Sequence, residues 1–511
     1  MPEFDLITGS DVLYIKGKDC GYCHGSKDPM EQGYSLDSYR KMYKQGEPEE
    51  YSKYPNSTTM GFVIYMCSPD CYERLMNRGF RRSGTFLYRS DILRNCCRLY
   101  TLRTCLRFIA HPTKEHRHTV NRFEKYLRGE NNSAGKHVAG VPFDIKRRIL
   151  DLELTIDGSR FRTVIGPVHA TDEKYQLFRK YQMGVHREKE SEVSLKGFKR
   201  FLCKTPFESK YIDHDDEYWE RLNGGWRKGL FEESDPHDLV GPIHECYYLN
   251  DKLIAIAVLD ILPESISSVY FIWDPDFAHL GLGNLSALRE LVLTEMLGKK
   301  YYYMGYYIDD CKKMRYKAKF GGEILDICSR KFVRLKDAEK FIEGGRLVVF
   351  GTDDEENNEL PPLNELEILD DQIDDEFPQG TKLANIAEQI YGFEGGSFTK
   401  AERIMRKLRG EIPALQDLDE VDEAEYWCSE GKETMQLPKV SPGLVPLWQI
   451  HEISQDGMLQ KLLGNLFLYD QQNPGFYRYQ PGFDTMYLKQ ILDLIRLVGP
   501  KQFEYPTLYI I

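Results

Sequence analysis

Between His244 and Ile308 the alternation of apolar and polar positions predicts a continuous run of elements. HECYYL (244–249) reads as a strand, and Asn250-Asp251 as a two-residue hairpin turn. KLIAIAVLD (252–260) returns as a second strand; being apolar on both faces, it belongs at the centre of a sheet covered on both sides. Pro263-Glu264-Ser265 turns the chain into a third strand, SVYFIW (268–273). After a loop with Pro275, Gly281 and Gly283, Asn284 caps a helix whose Leu285, Leu288, Leu291, Val292 and Met296 share one side. Gly298 ends that helix, and Tyr301 to Ile308 form a fourth strand.

Three strands, a glycine loop, a helix and a strand follow the order of an acyl-CoA N-acyltransferase (GNAT) core. That order predicts an α/β (α+β) fold and carries no function by itself. Four regions are expected: a Cys-rich basic module (1–135), the acyltransferase-like domain (136–352), an acidic linker or insertion (353–378) and a mixed α/β region (379–511). In the last, Leu383 to Arg409 is expected to be mostly helical, on Ile386, Ile390, Ile404 and Leu408. The length of 511 residues suits two to four domains.

The net charge of −12 argues against nucleic acid until its distribution is read. Asp353 to Glu376 holds twelve acids and no Lys or Arg, which equals the whole excess. From Cys71 to Glu130 there are fourteen Lys/Arg against five Asp/Glu, a basic stretch suited to phosphates or carboxylates, or simply a solvated face. MPEFDLITGSD has acids where a signal peptide needs basic and apolar residues, and no apolar run is long enough to span a membrane. A cytoplasmic chain is expected, with a nuclear location also compatible, and there the twelve cysteines are thiols or metal ligands rather than disulfides.

Cys20-Gly-Tyr-Cys23 has the spacing that lets two sulfurs reach one metal from a tight turn, and the adjacent Cys96 and Cys97 supply two more ligands of a tetrahedral site. Zinc and an iron–sulfur cluster both accept four thiolates. CGYCH also fits a haem attachment pattern, which lacks its export signal here. Cys67 and Cys71 are alternative ligands or core residues; Cys203, Cys246, Cys311, Cys328 and Cys428 read as buried small side chains.

Four stretches together resemble the eukaryotic (fungal-type) arginyl-tRNA–protein transferases. They are CGYC at Cys20; GFRRSG (79–84) with the CC pair and YTLR (100–103); SSVYFIWDPD with LSALRE; and YYYMGYYIDDCKKMRYKAKF. The likeness covers about residues 20 to 330 and reaches weakly into PGLVPL (442–447). In many relatives a proline follows the CC pair, whereas Arg98 stands here. The resemblance implies transfer of arginine from arginyl-tRNA to proteins beginning with Asp, Glu or oxidised Cys, which marks them for ubiquitin-dependent destruction. It also implies a GNAT-like catalytic domain and proximity to ubiquitin-ligase machinery.

That chemistry is aminolysis of an activated ester, for which alignment, a proton acceptor and oxyanion donors suffice. Asp260 and Asp274 each end an apolar strand, where a carboxylate is costly unless used or paired. Asp274 is the preferred proton acceptor, or else the cap of the Pro275 turn; Asp276 and Asp309 are weaker candidates. Tyr270, Tyr306, Tyr316 and Lys317 line the pocket or fill the core, and His244 orients a substrate group or is an ordinary hydrogen-bonded histidine. Tyr306 and Lys317 join the catalytic candidates; His244 and Tyr316 join those for substrate binding. Arg81, Arg82 and Arg103 are expected to read the acidic residue, or to hold tRNA phosphates. tRNA contacts are expected from Lys146, Arg147, Arg148, Lys196, Lys199 and Arg200. A coenzyme A-dependent acetyltransferase is disfavoured, because Ala278 replaces the Gln or Arg of the pyrophosphate loop. The remaining alternative is a zinc-stapled RNA-binding protein with a degenerate acyltransferase domain.

Overall fold

The computed structural model describes residues 3–9, 11–17, 20–27, 57–129, 142–154, 160–229, 239–352, 382–392, 395–411, 434–435, 437–455, 457–472, 474–480 and 485–511. The acidic run 353–376 and Cys428 lie outside them.

The chain opens with β1 (Leu6–Thr8), β2 (Leu13–Gly17), β3 (Ser57–Cys67), helix α1 (Pro69–Met76) and the hairpin β4 (Arg81–Ser83) and β5 (Phe86–Ser90). β6 (Tyr100–Thr104), α2 (Lys114–Arg128), α3 (Ile145–Leu154), β7 (Phe161–Gly166), α4 (Asp172–Tyr181) and α5 (Asp216–Lys228) follow. Next come β8 (Gly241–Leu249), β9 (Lys252–Ile261), β10 (Ser265–Trp273), α6 (Leu282–Met296), β11 (Tyr301–Tyr307), β12 (Glu323–Asp326) and β13 (Lys331–Arg334). The tail adds β14 (Phe350–Thr352), β15 (Leu383–Asn385), β16 (Thr434–Met435), β17 (Leu466–Asp470), β18 (Gly475–Arg478) and β19 (Thr507–Ile510).

An eight-stranded sheet in the order β13-β12-β6-β11-β10-β9-β8-β7 carries the predicted run, with β6 from the Cys-rich stretch set between β12 and β11. β9 is central and buried along its length after Lys252, as its two apolar faces require. Asn250 and Asp251 both have positive φ (48° and 60°), the backbone of a type I′ turn. β10 begins at Ser265, three residues before its apolar run, because Ser265–Ser267 pair in parallel with Tyr301–Tyr303. Gly281, not Asn284, stands in the cap position of α6, and that helix is buried nearly all round, between the sheet and helices α2 and α3. Leu383–Asn385 is a short strand paired with β14; helix follows at Ala387–Tyr391 and Gly396–Glu411.

A second sheet runs β16-β2-β3-β1-β19-β17-β18, with the β4–β5 hairpin attached to β3. Its β1 and β19 pair in parallel, so early and late segments share one sheet. The PGLVPL segment is held by the Cys-rich stretch: Arg89 donates to the Gly443 carbonyl (2.7 Å), Arg94 to that of Val440 (2.9 Å), and Ser441 to Asp91 (2.9 Å).

Candidate active site and metal centre

The turn after Cys20 brings the His24 N–H back to the Cys20 carbonyl (2.9 Å), which aims both sulfurs of CGYC the same way. A second turn, Asp91–Asn95, presents Cys96 and Cys97; the Arg98 guanidinium fixes it by donating to the carbonyls of Ile92, Leu93 (3.0 Å) and Asn95 (2.8 Å). The four sulfurs lie within 4.8 Å of one another, and Cys23 and Cys96 are 3.3 Å apart. Metal–sulfur bonds of about 2.3 Å put tetrahedral ligand sulfurs about 3.8 Å apart, so the spacing suits one shared ion. The hydrogen bonds among Cys20, Cys96 and Cys97 hold the Cys20 thiol far below the ordinary range and push Cys96 and Cys97 up, so these three sulfurs share one thiolate, and a bound metal would have to displace the other protons. Lys27, ion-paired with Asp310, also reaches Cys97, and Cys311 packs against the group. Cys67 and Cys71 lie in a separate core, where burial first of all pushes Cys71 up.

Beside this centre the eight-stranded sheet forks. β10 and β11 pair from Ser265 and Tyr301 only as far as Ser267 and Tyr303; beyond them β10 stays with β9 while β11 stays with β6. Lys317 is buried at the fork and donates to the carbonyls of Met304 and Tyr306, both at 2.7 Å. Burial, and then the charge of Arg81, push its ammonium down to about 7. Gly305 has φ 79°, and a Cβ there would approach the Lys317 ammonium.

Arg81 and Arg82 alternate on β4 and meet different partners. Arg82 is bound side-on to Asp260 (2.7 and 2.6 Å) and reaches the carbonyls of Gly84 and Lys204 (both 3.4 Å). Arg81 donates from Nη1 to the Phe80 carbonyl (3.0 Å), while its Nε and Nη2 have no hydrogen-bond partner among the described residues. It is 5% exposed, with its guanidinium 5.4 Å from the Tyr303 ring and 5.6 Å from that of Tyr306. The Tyr306 hydroxyl donates to the Gly79 carbonyl (3.0 Å), which fixes the ring beside Arg81. Arg103 is held elsewhere, on Glu323 (2.9 Å) and between the rings of Tyr301 and Phe332.

Comparison with known proteins then decides the family. Family models described as arginine-tRNA-protein transferase, N terminus and C terminus, match residues 18–118 and 173–326. Arginyl-tRNA--protein transferase 1 of Saccharomyces cerevisiae is 40% identical over 496 residues, covering 94% of this chain and 93% of that protein. The chain belongs to the arginyl-tRNA–protein transferase family. Arginyl-tRNA--protein transferase 2 of Arabidopsis thaliana is 42% identical over 154 residues, 29% of this chain and 23% of that one. An aspartate/glutamate leucyltransferase of Campylobacter jejuni is 38% identical over 74 residues, 14% of this chain and 31% of that one.

The two stretches matched to the transferase family contain the four cysteines, both neighbouring arginines and the fork. Other residues singled out from the sequence are engaged as follows. Asp274 caps the 275–280 turn through the Asp276 N–H (3.0 Å) and pairs with Lys180 (2.5 Å) and Lys252 (2.8 Å). Burial raises its carboxyl, but the two ammonium groups outweigh it and hold it below the usual range. Asp309 accepts from Tyr307 (2.9 Å). His244 donates from Nε2 to the Leu202 carbonyl (3.0 Å), which leaves Nδ1 to accept from Lys174 (3.1 Å). Burial and Lys174 push it down to about 3, so it stays neutral. Tyr316 is half-buried and packs edge-on to Phe320.

Lys196, Lys199 and Arg200 come together with Lys204 around a cavity of about 720 Å³. Arg147 and Arg148 stand apart from them on α3: Arg147 is exposed, while Arg148 pairs with Glu124 and Asn121 (3.0 Å). Lys146 pairs with Glu295 (3.0 Å). Sequence reasoning missed Lys204, the lysines on Asp274, and the polar groups buried along α6. The signal for the last was Arg289-Glu290 within an otherwise apolar helix.

Proposed function

We propose that this enzyme moves the arginyl group of arginyl-tRNA onto the α-amine of proteins beginning with Asp, Glu or oxidised Cys, and that Arg81 reads the acidic side chain. The unpartnered Nε and Nη2 of buried Arg81 carry this reading. They form the guanidinium edge that grips a carboxylate, or the oxygens of an oxidised thiol, through two parallel bonds. Arg82 is unavailable for that role, since Asp260 already takes its two bonds.

Lys317 accepts the proton of the attacking amine. As a neutral amine it has two N–H groups, both on carbonyls of β11, and a lone pair left over. Near neutral pH that form is well populated, and the α-amine itself ionises at about 7.7–8.0. The amine attacks the ester carbonyl directly, so no covalent enzyme intermediate forms.

Cys20, Cys23, Cys96 and Cys97 hold one zinc ion, which fixes the loop beside Arg81 structurally. The basic cavity at Lys196, Lys199, Arg200 and Lys204 takes phosphates of the tRNA. The reading calls for no coenzyme A: Ala278 stands where the pyrophosphate loop of coenzyme A enzymes carries Gln or Arg. No helix of the described residues is long and apolar enough to cross a membrane. The proposed reaction would place the enzyme in the cytoplasm, with nuclear access, upstream of ubiquitin-ligase machinery.

The test is transfer of labelled arginine from charged tRNA to peptides beginning with Asp, Glu or Ala. Label on Asp and Glu but not Ala is expected; tRNA binding with no transfer would instead favour a binding protein.

A further inference from the structure

On the face of β11 opposite Tyr303, Tyr302 points under α6. Its hydroxyl donates to Glu290, which also accepts from Ser286. The Ser268 hydroxyl stands within reach of the same phenol, on which it acts as a donor. Ser268 is half-buried and is the first residue of β10 beyond the three that pair with β11. A carboxyl 1% exposed is therefore joined through one phenol to a hydroxyl at the mouth of the fork.

Arg289, next to Glu290, is engaged by Glu245 (2.7 Å) and Glu153 (2.6 Å), so Glu290 has no ion-pair partner among the described residues. A buried carboxyl in that position keeps its proton: burial above all, with Glu245 adding to it, pushes Glu290 up to about 8 despite Ser286, Tyr302 and Arg289. Tyr247 and Tyr316 are the other titratable groups facing this cluster. In the protonated state the carboxyl donates to Tyr302, Tyr302 to Ser268, and Ser268 into the fork.

We propose that Glu290, acting through Tyr302 and Ser268, supplies the proton taken up by the ribose oxygen when the arginyl ester breaks. The inference rests on the arginyl-transfer reading. As the new C–N bond forms, the amine proton passes to Lys317. As the ester C–O bond breaks, the leaving oxygen takes the Ser268 proton, which is replaced from Tyr302 and then from Glu290. Solvent reprotonates Glu290 and deprotonates Lys317 before the next cycle. Glu290 is thus a positioning and proton-storing residue, and Ser268 the group that touches substrate.

Single-turnover transfer from arginyl-tRNA to an Asp-initiated peptide, across pH 6–9.5, tests this in wild type, Glu290→Gln, Tyr302→Phe and Ser268→Ala. In wild type the rate is expected to fall at alkaline pH with an apparent pKa near 8. Each folded variant should lose roughly 10-fold or more in rate, lose that alkaline limb, and keep its peptide KM and tRNA Kd. A folded Glu290→Gln with the wild-type rate, or with a reduced rate and an unchanged alkaline limb, overturns the proposal. If Glu290→Gln does not fold, Ser268→Ala decides by the same two readouts. Wild-type protein without any transfer would refute the arginyl-transfer reading itself, which separates the two failures.

Discussion

Arg82 and Asp260 are joined by two parallel hydrogen bonds of 2.7 and 2.6 Å, with both side chains out of solvent. One comes from the β4–β5 hairpin and the other from the centre of the eight-stranded sheet, so the pair pins the two sheets together. Arg82→Ala leaves a carboxylate buried without its counter-charge and should destabilise the protein by about 3–5 kcal/mol, read from denaturant or thermal melts. The double variant Arg82→Ala/Asp260→Ala should recover part of that loss. Equal stability of the single variant and wild type would show that the pair does not hold the sheets.

Lys317 gives the reaction its acid limb. The neutral amine is the competent form, so the rate should rise as pH passes about 7, until the alkaline limb set by Glu290 brings it down again. Lys317→Arg keeps donors near Met304 and Tyr306 but cannot lose a proton; it should cut kcat by roughly 10²-fold. An unchanged kcat and pH profile in that variant would remove Lys317 from the chemistry.

The four cysteines should bind one metal ion per chain, measured by elemental analysis. Cys97→Ala should abolish stoichiometric metal and lower the melting temperature, because the loops carrying Cys20 and Cys96 lose their common anchor. Full metal content in that variant would exclude Cys97 as a ligand.

Replacing Lys196, Lys199 and Arg200 together by Ala should weaken tRNA binding and make its logarithmic salt dependence shallower by about 2–3 units. An unaltered slope would place the phosphates elsewhere.

The β8–β9 hairpin and the strand–helix–strand run after it were legible because each element has a strong local signal: a two-residue turn, an apolar run, a glycine-bounded helix. The start of β10 was not, since Ser265–Ser267 earn their place from parallel partners 36 residues away. The cysteine spacing foretold the gathering of four thiols but not Lys27 or Cys311, which arrive from other segments. The arginine-rich stretch suggested an anion-binding face, yet Arg89, Arg94, Arg98 and Arg103 are buried on carbonyls and carboxylates of this chain. Arg81 and Arg82 show why sequence alone falls short. They are identical neighbours, and only the alternation of β4 sends one to Asp260 and the other to the fork.

The most direct measurement is the ratio of kcat/KM for a peptide beginning with Asp over one beginning with Asn, in wild type and in Arg81→Ala. The pair differs only in the charge that Arg81 is proposed to read. Wild type should favour Asp by roughly 10²-fold or more, and Arg81→Ala should bring the ratio close to one, chiefly through peptide KM, with tRNA binding unchanged. A folded Arg81→Ala that keeps the wild-type ratio would contradict the assignment of the acidic-residue reader.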